Sequence, residues 1–377
     1  MKIIKWDAPF NDAFAADLQH RLRQARWSDQ VTSDWSQGTA AEPLQQLVTY
    51  WETIYNWPSA ALRINSLPHF YATVDDIKLH FLHFKGKGTS PRPLLLTNGW
   101  PSSFVEYTKL APMLADPAAH GDADALSFDV VIPAHPGYGY SSRPTTPNQV
   151  DSTALFHRLM TEGLGYQSYI VSGTDIGAGV GTRMALAFPA AVRGLHIAAV
   201  VDPMLDNTSA LLTDDERAYQ VQVQKWNANE GAYLQLQATR PQTAAYALND
   251  SPLGLASWIL EKFRYWSDAG ADLWEVFPLD MLLDNINIYW STQTIGSSMR
   301  LYYESRHFRA PLKVDDRVSV PTAVCMWPRD LVLAPESWAR RFYNVRQYTV
   351  QPRGGHFPAW ERPGSYAADL RAFVTSL

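Results

Sequence analysis

Hydrophobic positions follow a helical period at first, then come as short continuous runs, then return to a helical period before the runs resume. In the first 70 residues Phe14, Leu18, Leu22 and Ala25 share one helical face, with Arg21, Arg23 and Arg26 mostly on the other. A second helix is predicted from about Leu44 to Tyr55, and prolines 58 and 68 then break the pattern. This region carries no strand signal and no catalytic pattern. Strand-like runs recur at 77–84, 93–96, 129–133, 169–172, 194–200, 320–326 and 346–350, with helical segments interleaved. Several are unbroken apolar runs, as expected of strands buried on both faces of a parallel sheet. Alternating strand and helix predicts an α/β fold with a mostly parallel, doubly wound sheet.

Between about 202 and 311 the alternation stops and the chain reads as helical. Thr213-Asp214-Asp215-Glu216 has the order of a capping box. Trp258, Phe263, Tyr265, Trp266, Trp274, Tyr289 and Trp290 crowd the same block. A helical insertion between two strands of one sheet reads as a lid over the carboxyl ends of the strands, where open α/β sheets bind ligands. The predicted division is a helical extension at 1–70, a core at 71–204 and 311–377, and a lid at 205–310. No internal repeat interrupts it.

The candidate chemistry centres on Ser172-Gly173-Thr174-Asp175-Ile176-Gly177-Ala178-Gly179. An apolar run enters a tight turn of small residues and a helix-like stretch follows, which is the layout of a nucleophile elbow. The usual nucleophile is Ser; here it is Asp175. A carboxylate there suits displacement at a saturated carbon, giving an alkyl ester that water must then hydrolyse. An Asp that only caps the next helix would not require Gly173 and Gly177. Three further loops follow strands. Thr97-Asn98-Gly99-Trp100-Pro101 offers the Trp100 N–H to an oxyanion, with the Ile176 N–H as second donor. Alone it reads equally well as a simple turn. Trp327-Pro328-Arg329-Asp330 offers an acid, and Gly354-Gly355-His356-Phe357-Pro358 a base. Nucleophile, acid and base then occur in the order used by α/β-hydrolases. His356 would take a proton from water while Asp330 fixes its tautomer. Asp202, after the preceding strand, is the rival acid; Asp330 is preferred.

Composition narrows the classes. Hydrophobic residues make up 46% and charged residues 18% of 377, an ordinary globular balance. The net charge of −5 argues against a nucleic-acid partner. A lone cysteine, Cys325, excludes an internal disulfide and fits a reducing compartment. There is no metal-ligand spacing, no P-loop and no dinucleotide fingerprint, so no cofactor and no metal is expected. No signal-peptide core and no apolar stretch of about 18 residues is seen, so the protein is expected to be soluble and cytoplasmic, with no membrane span.

With these residues placed, the chain resembles the microsomal-type epoxide hydrolases of the α/β-hydrolase superfamily, which carry an extra N-terminal region. The resemblance runs through Arg21-Leu22 to Arg26-Trp27, Leu67-Pro68-His69-Phe70, Asn98-Gly99-Trp100-Pro101, the elbow and Gly354-Gly355-His356-Phe357. It is most specific at Gln237-Ala238-Thr239-Arg240-Pro241, Leu248-Asn249-Asp250-Ser251-Pro252 and Arg300-Leu301-Tyr302-Tyr303-Glu304. It implies a small-molecule epoxide and water as partners and leaves a homodimer open. It also implies two lid tyrosines that hydrogen-bond the epoxide oxygen, falling on Tyr233 and Tyr302; Tyr303 is the neighbour most easily confused with the latter. Two positions depart from the family pattern: Asn98 stands where His is usual, and Ile176 where Trp is usual. Both changes keep their backbone N–H groups. A dehalogenase on the same fold is the nearest alternative, but Ile176 cannot help a departing halide. A binding protein that kept the pocket and lost turnover is the alternative from another class.

Overall fold

The structure is a computed structural model and describes the chain except residues 10–11, 148–150, 202–211 and 314. Its strands are β1 (Ile3–Lys5), β2 (His69–Val74), β3 (Ile77–Phe84), β4 (Arg92–Thr97), β5 (Phe128–Pro133), β6 (Tyr169–Gly173), β7 (Val192–Ile197), β8 (Val318–Met326) and β9 (Tyr343–Val350). They form one sheet in the order β1-β2-β3-β5-β4-β6-β7-β8-β9. The pairs from β1 to β5 are antiparallel, and those from β5 through β9 are parallel. The continuous apolar runs divide between two faces. Leu94, Leu96, Val130 and Ile132 join the core on one side, while Leu95 and Val131 join the other. Helices Leu110–Ala115 and Pro363–Thr375 cover the first face, and Ser152–Arg158, Ile176–Ala187 and Glu336–Phe342 the second.

The first 70 residues differ from expectation in three respects. β1 lies within them and pairs with β2, which itself begins at His69. β2 turns into β3 through Asp75 and Asp76, both at positive φ (47° and 65°), the backbone of a tight hairpin without its usual Asn-Gly signal. Pro58 opens a helix, Trp57–Asn65, rather than breaking one: it occupies the first turn, where a missing N–H is harmless, and Asn56 caps the turn by accepting from Ser59 N at 2.8 Å.

Between β7 and β8 the lid supplies helices Asp214–Asn229, Ala232–Thr239, Pro241–Asp250, Pro252–Tyr265, Leu273–Val276, Leu279–Thr292 and Ile295–His307. The capping box at Thr213 and Glu216 is formed. The N-terminal helices Asp12–Arg23 and Ala41–Thr53 pack against Pro252–Tyr265 from outside. Polar bonds fasten this contact. Arg21 pairs with Asp250 at 2.9 Å, and Asp284 accepts from Tyr55 at 2.7 Å and from Arg63 at 2.9 and 3.0 Å. Asp284 is buried, which pushes its carboxyl pKa up against the pull of Arg63. No helix among the described residues is long and apolar enough to cross a membrane.

Candidate active site

β6 ends at Gly173, and helix Ile176–Ala187 begins three residues later. Between them Asp175 is held at φ 51°, ψ −128°, outside the regions a non-glycine residue normally occupies. Such a backbone costs on the order of 1–3 kcal/mol and persists only where its surroundings enforce it. Close packing enforces it here. A Cβ on Gly177 would lie 2.0 Å from the Thr97 carbonyl oxygen at the end of β4, so the elbow is pressed onto the neighbouring strand. A Cβ on Gly99 would lie 1.7 Å from Asp175 Oδ1.

That pressure delivers the carboxylate to its partners. The Trp100 N–H donates to Asp175 Oδ1 at 3.1 Å. His356 Nε2 lies 3.1 Å from Asp175 Oδ2, and its Nδ1 lies 2.6 Å from Asp330 Oδ1. An ionised carboxylate only accepts, so an imidazole bonded to two of them must donate from both nitrogens. Burial opposes that charge, but Asp330 and Asp175 outweigh it and hold the His356 pKa well above its ordinary value. The histidine loop is pinned by the lid, since His356 N–H donates to the Trp266 carbonyl at 2.7 Å. Asp330 is oriented by its own loop, accepting from Leu331 N–H at 2.7 Å. Ile176 is the first residue of the elbow helix, where the N–H groups have no intrahelical partner. The alternative acid, Asp202, lies outside the described residues.

The lid brings two phenols over this group. Tyr233 stacks on the Trp100 ring at 5.6 Å and 11°, and Tyr302 meets the same ring edge-on at 6.3 Å and 90°. Their own centroids are 6.1 Å apart. Burial, and then the Asp175 charge, raises the Tyr233 pKa; burial, Tyr233 and Asp175 raise that of Tyr302. Both phenols therefore keep their protons as potential donors. The Tyr302 hydroxyl is buried beside that of Tyr233 and makes no other hydrogen bond among the described residues. Tyr303 instead stacks on His307 at 4.0 Å.

Comparison with known proteins agrees with this geometry. Residues 3–107 match the family model described as epoxide hydrolase N terminus, and residues 92–255 match the alpha/beta hydrolase fold. Epoxide hydrolase 1 of Oryctolagus cuniculus is 35% identical over 389 residues, spanning 95% of this chain and 85% of that one. The chain belongs to the epoxide hydrolase family. Among solved structures, juvenile hormone epoxide hydrolase from the silkworm Bombyx mori superposes with a TM-score of 0.88 at 29% identity, covering 100% of this chain and 94% of that one. The epoxide hydrolase of Aspergillus niger gives 0.86 at 26%, covering 100% and 97%.

Three features of this family member escape sequence reasoning. The Trp100 ring is a shared platform for both lid phenols as well as the carrier of an N–H. Lys262 is 4% exposed, with its Nζ 4.7 Å from the Tyr233 ring centroid and 5.5 Å from those of Trp258 and Trp266. Trp266 in turn stands edge-on to His356 at 5.1 Å. A lysine amid the apolar face of helix Pro252–Tyr265 was the only available signal. Third, Glu106 is buried and accepts from Ser102 Oγ at 2.6 Å, and Asn98 Nδ2 donates to the same oxygen at 2.9 Å. Burial pushes the Glu106 pKa up to about 8 despite the Ser102 bond. Asn98 thus braces the loop that presents Trp100.

A cavity of about 630 Å³ reaches this site, with Ile176, Leu234, Leu301 and Tyr302 in its wall. A larger one of about 850 Å³ lies on the lid near Arg240 and Tyr246 and touches none of Asp175, Asp330, His356, Tyr233 and Tyr302. Among the described residues His196, Cys325 and Asp369 bring potential metal-ligand atoms within 4.8 Å of one another. They read as a buried hydrogen-bond network instead. His196 bonds Ser172 at 2.8 Å and Asp369 at 3.1 Å, and burial raises the Cys325 pKa so that the thiol keeps its proton.

Proposed function

We propose that this chain hydrolyses an epoxide to a vicinal diol through an ester on Asp175. The observation that carries the reading is a partly buried carboxylate at a strained elbow, faced by two protonated phenols. Asp175 Oδ2 attacks a ring carbon, the C–O bond breaks, and Tyr233 and Tyr302 donate to the departing oxygen as it gains charge. The ester removes the charge that helped hold the His356 proton. The imidazolium then returns a proton to the phenol–alkoxide pair and becomes a neutral base, oriented by Asp330. It takes a proton from water, whose oxygen attacks the Asp175 carbonyl carbon. The N–H groups of Trp100 and Ile176 receive the oxyanion. Collapse releases the diol and restores Asp175 as carboxylate beside a charged His356. The core supplies the carboxylates and the base, and the lid, about 205–310, supplies the phenols. Ile176 offers no side-chain donor to a halide, which favours an epoxide over a haloalkane. The buried lone Cys325 supports work in a reducing, cytoplasmic compartment.

Single turnover in heavy-oxygen water tests the scheme. The first diol should carry light oxygen from Asp175. Immediate incorporation of solvent oxygen would mean direct attack by water and would rule out the ester.

A further inference from the structure

The loop that carries His356 has each backbone donor from Gly354 to Phe357 engaged. Gly354 N–H donates to Asp268 Oδ2 at 3.1 Å, and His356 N–H to the Trp266 carbonyl at 2.7 Å. Gly355 N–H donates to Glu361 Oε2 at 3.0 Å, and Phe357 N–H to Glu361 Oε1 at 3.0 Å. Glu361 Oε2 also accepts from Asp268 N–H at 2.7 Å. One carboxylate thus holds the residues on both sides of the base and the lid turn beside them. The fit is close: a Cβ on Gly355 would lie 2.7 Å from Ser267 Cα and from the Trp266 carbonyl oxygen. The acid loop joins through Arg329 N–H, which donates to the Gly354 carbonyl at 3.0 Å.

Glu361 is 8% exposed. Burial pushes its pKa up to about 7, against the three N–H groups, which favour the ionised form. A buried carboxylate is costly to keep, and an apolar side chain could fill the same space. What the carboxylate supplies is acceptors for three convergent donors. An amide cannot do this. If its NH2 takes the place of Oε2, the Gly355 N–H loses its acceptor; if it takes the place of Oε1, the Phe357 N–H does. Asp330 holds the imidazole ring at Nδ1, and Glu361 holds the backbone from which the ring hangs.

We propose that Glu361 is a positioning residue for ester hydrolysis, holding His356 from both sides so that its Nε2 stays within reach of a water at Asp175. This rests on the ester scheme above. During alkylation His356 keeps its proton while Asp175 and the phenols act. During hydrolysis His356 must hold and deprotonate a water against the ester carbonyl, so its placement bears on the second step far more than on the first. Glu361 acts through His356 and exchanges no proton with substrate.

The test follows formation and decay of the ester in wild-type, Glu361→Gln and His356→Gln proteins at about pH 8, where a carboxyl of pKa about 7 is mostly ionised. Styrene oxide is the probe, or whichever aryl or alkyl epoxide the wild type turns over. Rapid quench and intact-protein mass spectrometry read both rates in a single turnover. Glu361→Gln should form the ester within threefold of the wild-type rate. Its ester should decay about 10–10²-fold more slowly, since a misplacement of about 1 Å costs about 10². A residue that only stabilised the fold would lower the fraction of protein that alkylates and leave the decay rate unchanged. Glu361→Asp carries the test if Glu361→Gln folds poorly: it keeps the charge but is one carbon too short to reach both flanking N–H groups, and its ester should also decay slowly. Wild-type decay in the Glu361 variant, beside a lasting adduct in His356→Gln, would overturn this proposal and leave the ester scheme standing. Equal slowing of formation and decay would also overturn it. No adduct even in His356→Gln would overturn the ester scheme, and this proposal with it.

Discussion

Replacing Gly99 with Ala adds one carbon at the point where the oxyanion loop touches the nucleophile. That carbon would sit 1.7 Å from Asp175 Oδ1. Ordinary contact needs roughly 3.5 Å, so either the carboxylate or the loop must move by more than about 1.5 Å. If the carboxylate yields, it leaves the Trp100 N–H and the His356 Nε2, each now 3.1 Å away. If the loop yields, the Trp100 N–H retreats instead. Losing one oxyanion donor slows a reaction by about 10²–10³, and a misplacement of about 1 Å costs about 10². Ester formation should therefore fall by about 10²–10⁴, while overpacking should lower stability by only about 1–3 kcal/mol. Rapid-quench single turnover on an epoxide measures the first quantity, and denaturant melts measure the second. Gly179→Ala is the stability control. Its new carbon would meet nothing nearer than Val201 at 4.0 Å, and an alanine in a helix gains up to about 1 kcal/mol over glycine. A folded Gly99→Ala protein that alkylates within threefold of wild type would refute the reasoning: either Asp175 does not attack, or the loop is not its partner.

Four further outcomes are expected. His356→Gln should alkylate but barely deacylate, so intact-protein mass spectrometry should find the chain plus substrate; in wild type the same adduct should build up at acid pH and vanish as rising pH discharges His356. Tyr233→Phe and Tyr302→Phe should each slow alkylation by on the order of 10²-fold while sparing ester hydrolysis, and normal alkylation in both would make them packing residues. Lys262→Met should slow alkylation about tenfold by removing a buried cation from the Tyr233 ring, where such contacts are worth up to about 2 kcal/mol; Lys262→Arg should recover part of it in the same assay. Glu106 binds its proton more tightly folded, up to about pH 8, than unfolded, so stability declines as pH rises from the ordinary carboxyl range toward 8. Glu106→Gln should lose that decline, on the order of 3–5 kcal/mol between pH 5 and 8, as read from urea melts at both pH values.

Most strands were readable because a strand buried on both faces is an unbroken apolar run, as in Leu94-Leu95-Leu96 and Val130-Val131-Ile132. β2 was not, because His69 and Thr73 interrupt its apolar residues and its turn is Asp-Asp rather than Asn-Gly. β1 is three residues long and is a strand only because β2 lies beside it. At the site, Asp175 could be read from its flanking small residues, and Asp330 and His356 from their places after strands. The tyrosines could not: local pattern does not separate Tyr233 and Tyr302 from the other sixteen of 18, and only the family resemblance picked them out. Their bearing on Trp100, and that of Lys262 on Tyr233, arises from residues far apart in sequence meeting in space. No spacing rule contains that information.

The bonds between the N-terminal helices and the lid join residues 217 to 230 positions apart, as in Arg63 with Asp280 and Tyr50 with Asp280. Contacts of such separation form late in folding, because the chain entropy lost in closing them is not recovered until both ends are already ordered. The sheet can assemble from its neighbouring parallel strands before the lid has a surface to lie on. Conversely, the lid and the first helices should come loose together under mild denaturant, as one cooperative unit that exchanges its amide hydrogens sooner than the sheet. Protease cuts should therefore appear in both segments at the same denaturant concentration, and a chain shortened to begin at β2 should keep its sheet while losing order in the very helices that carry Tyr233 and Tyr302.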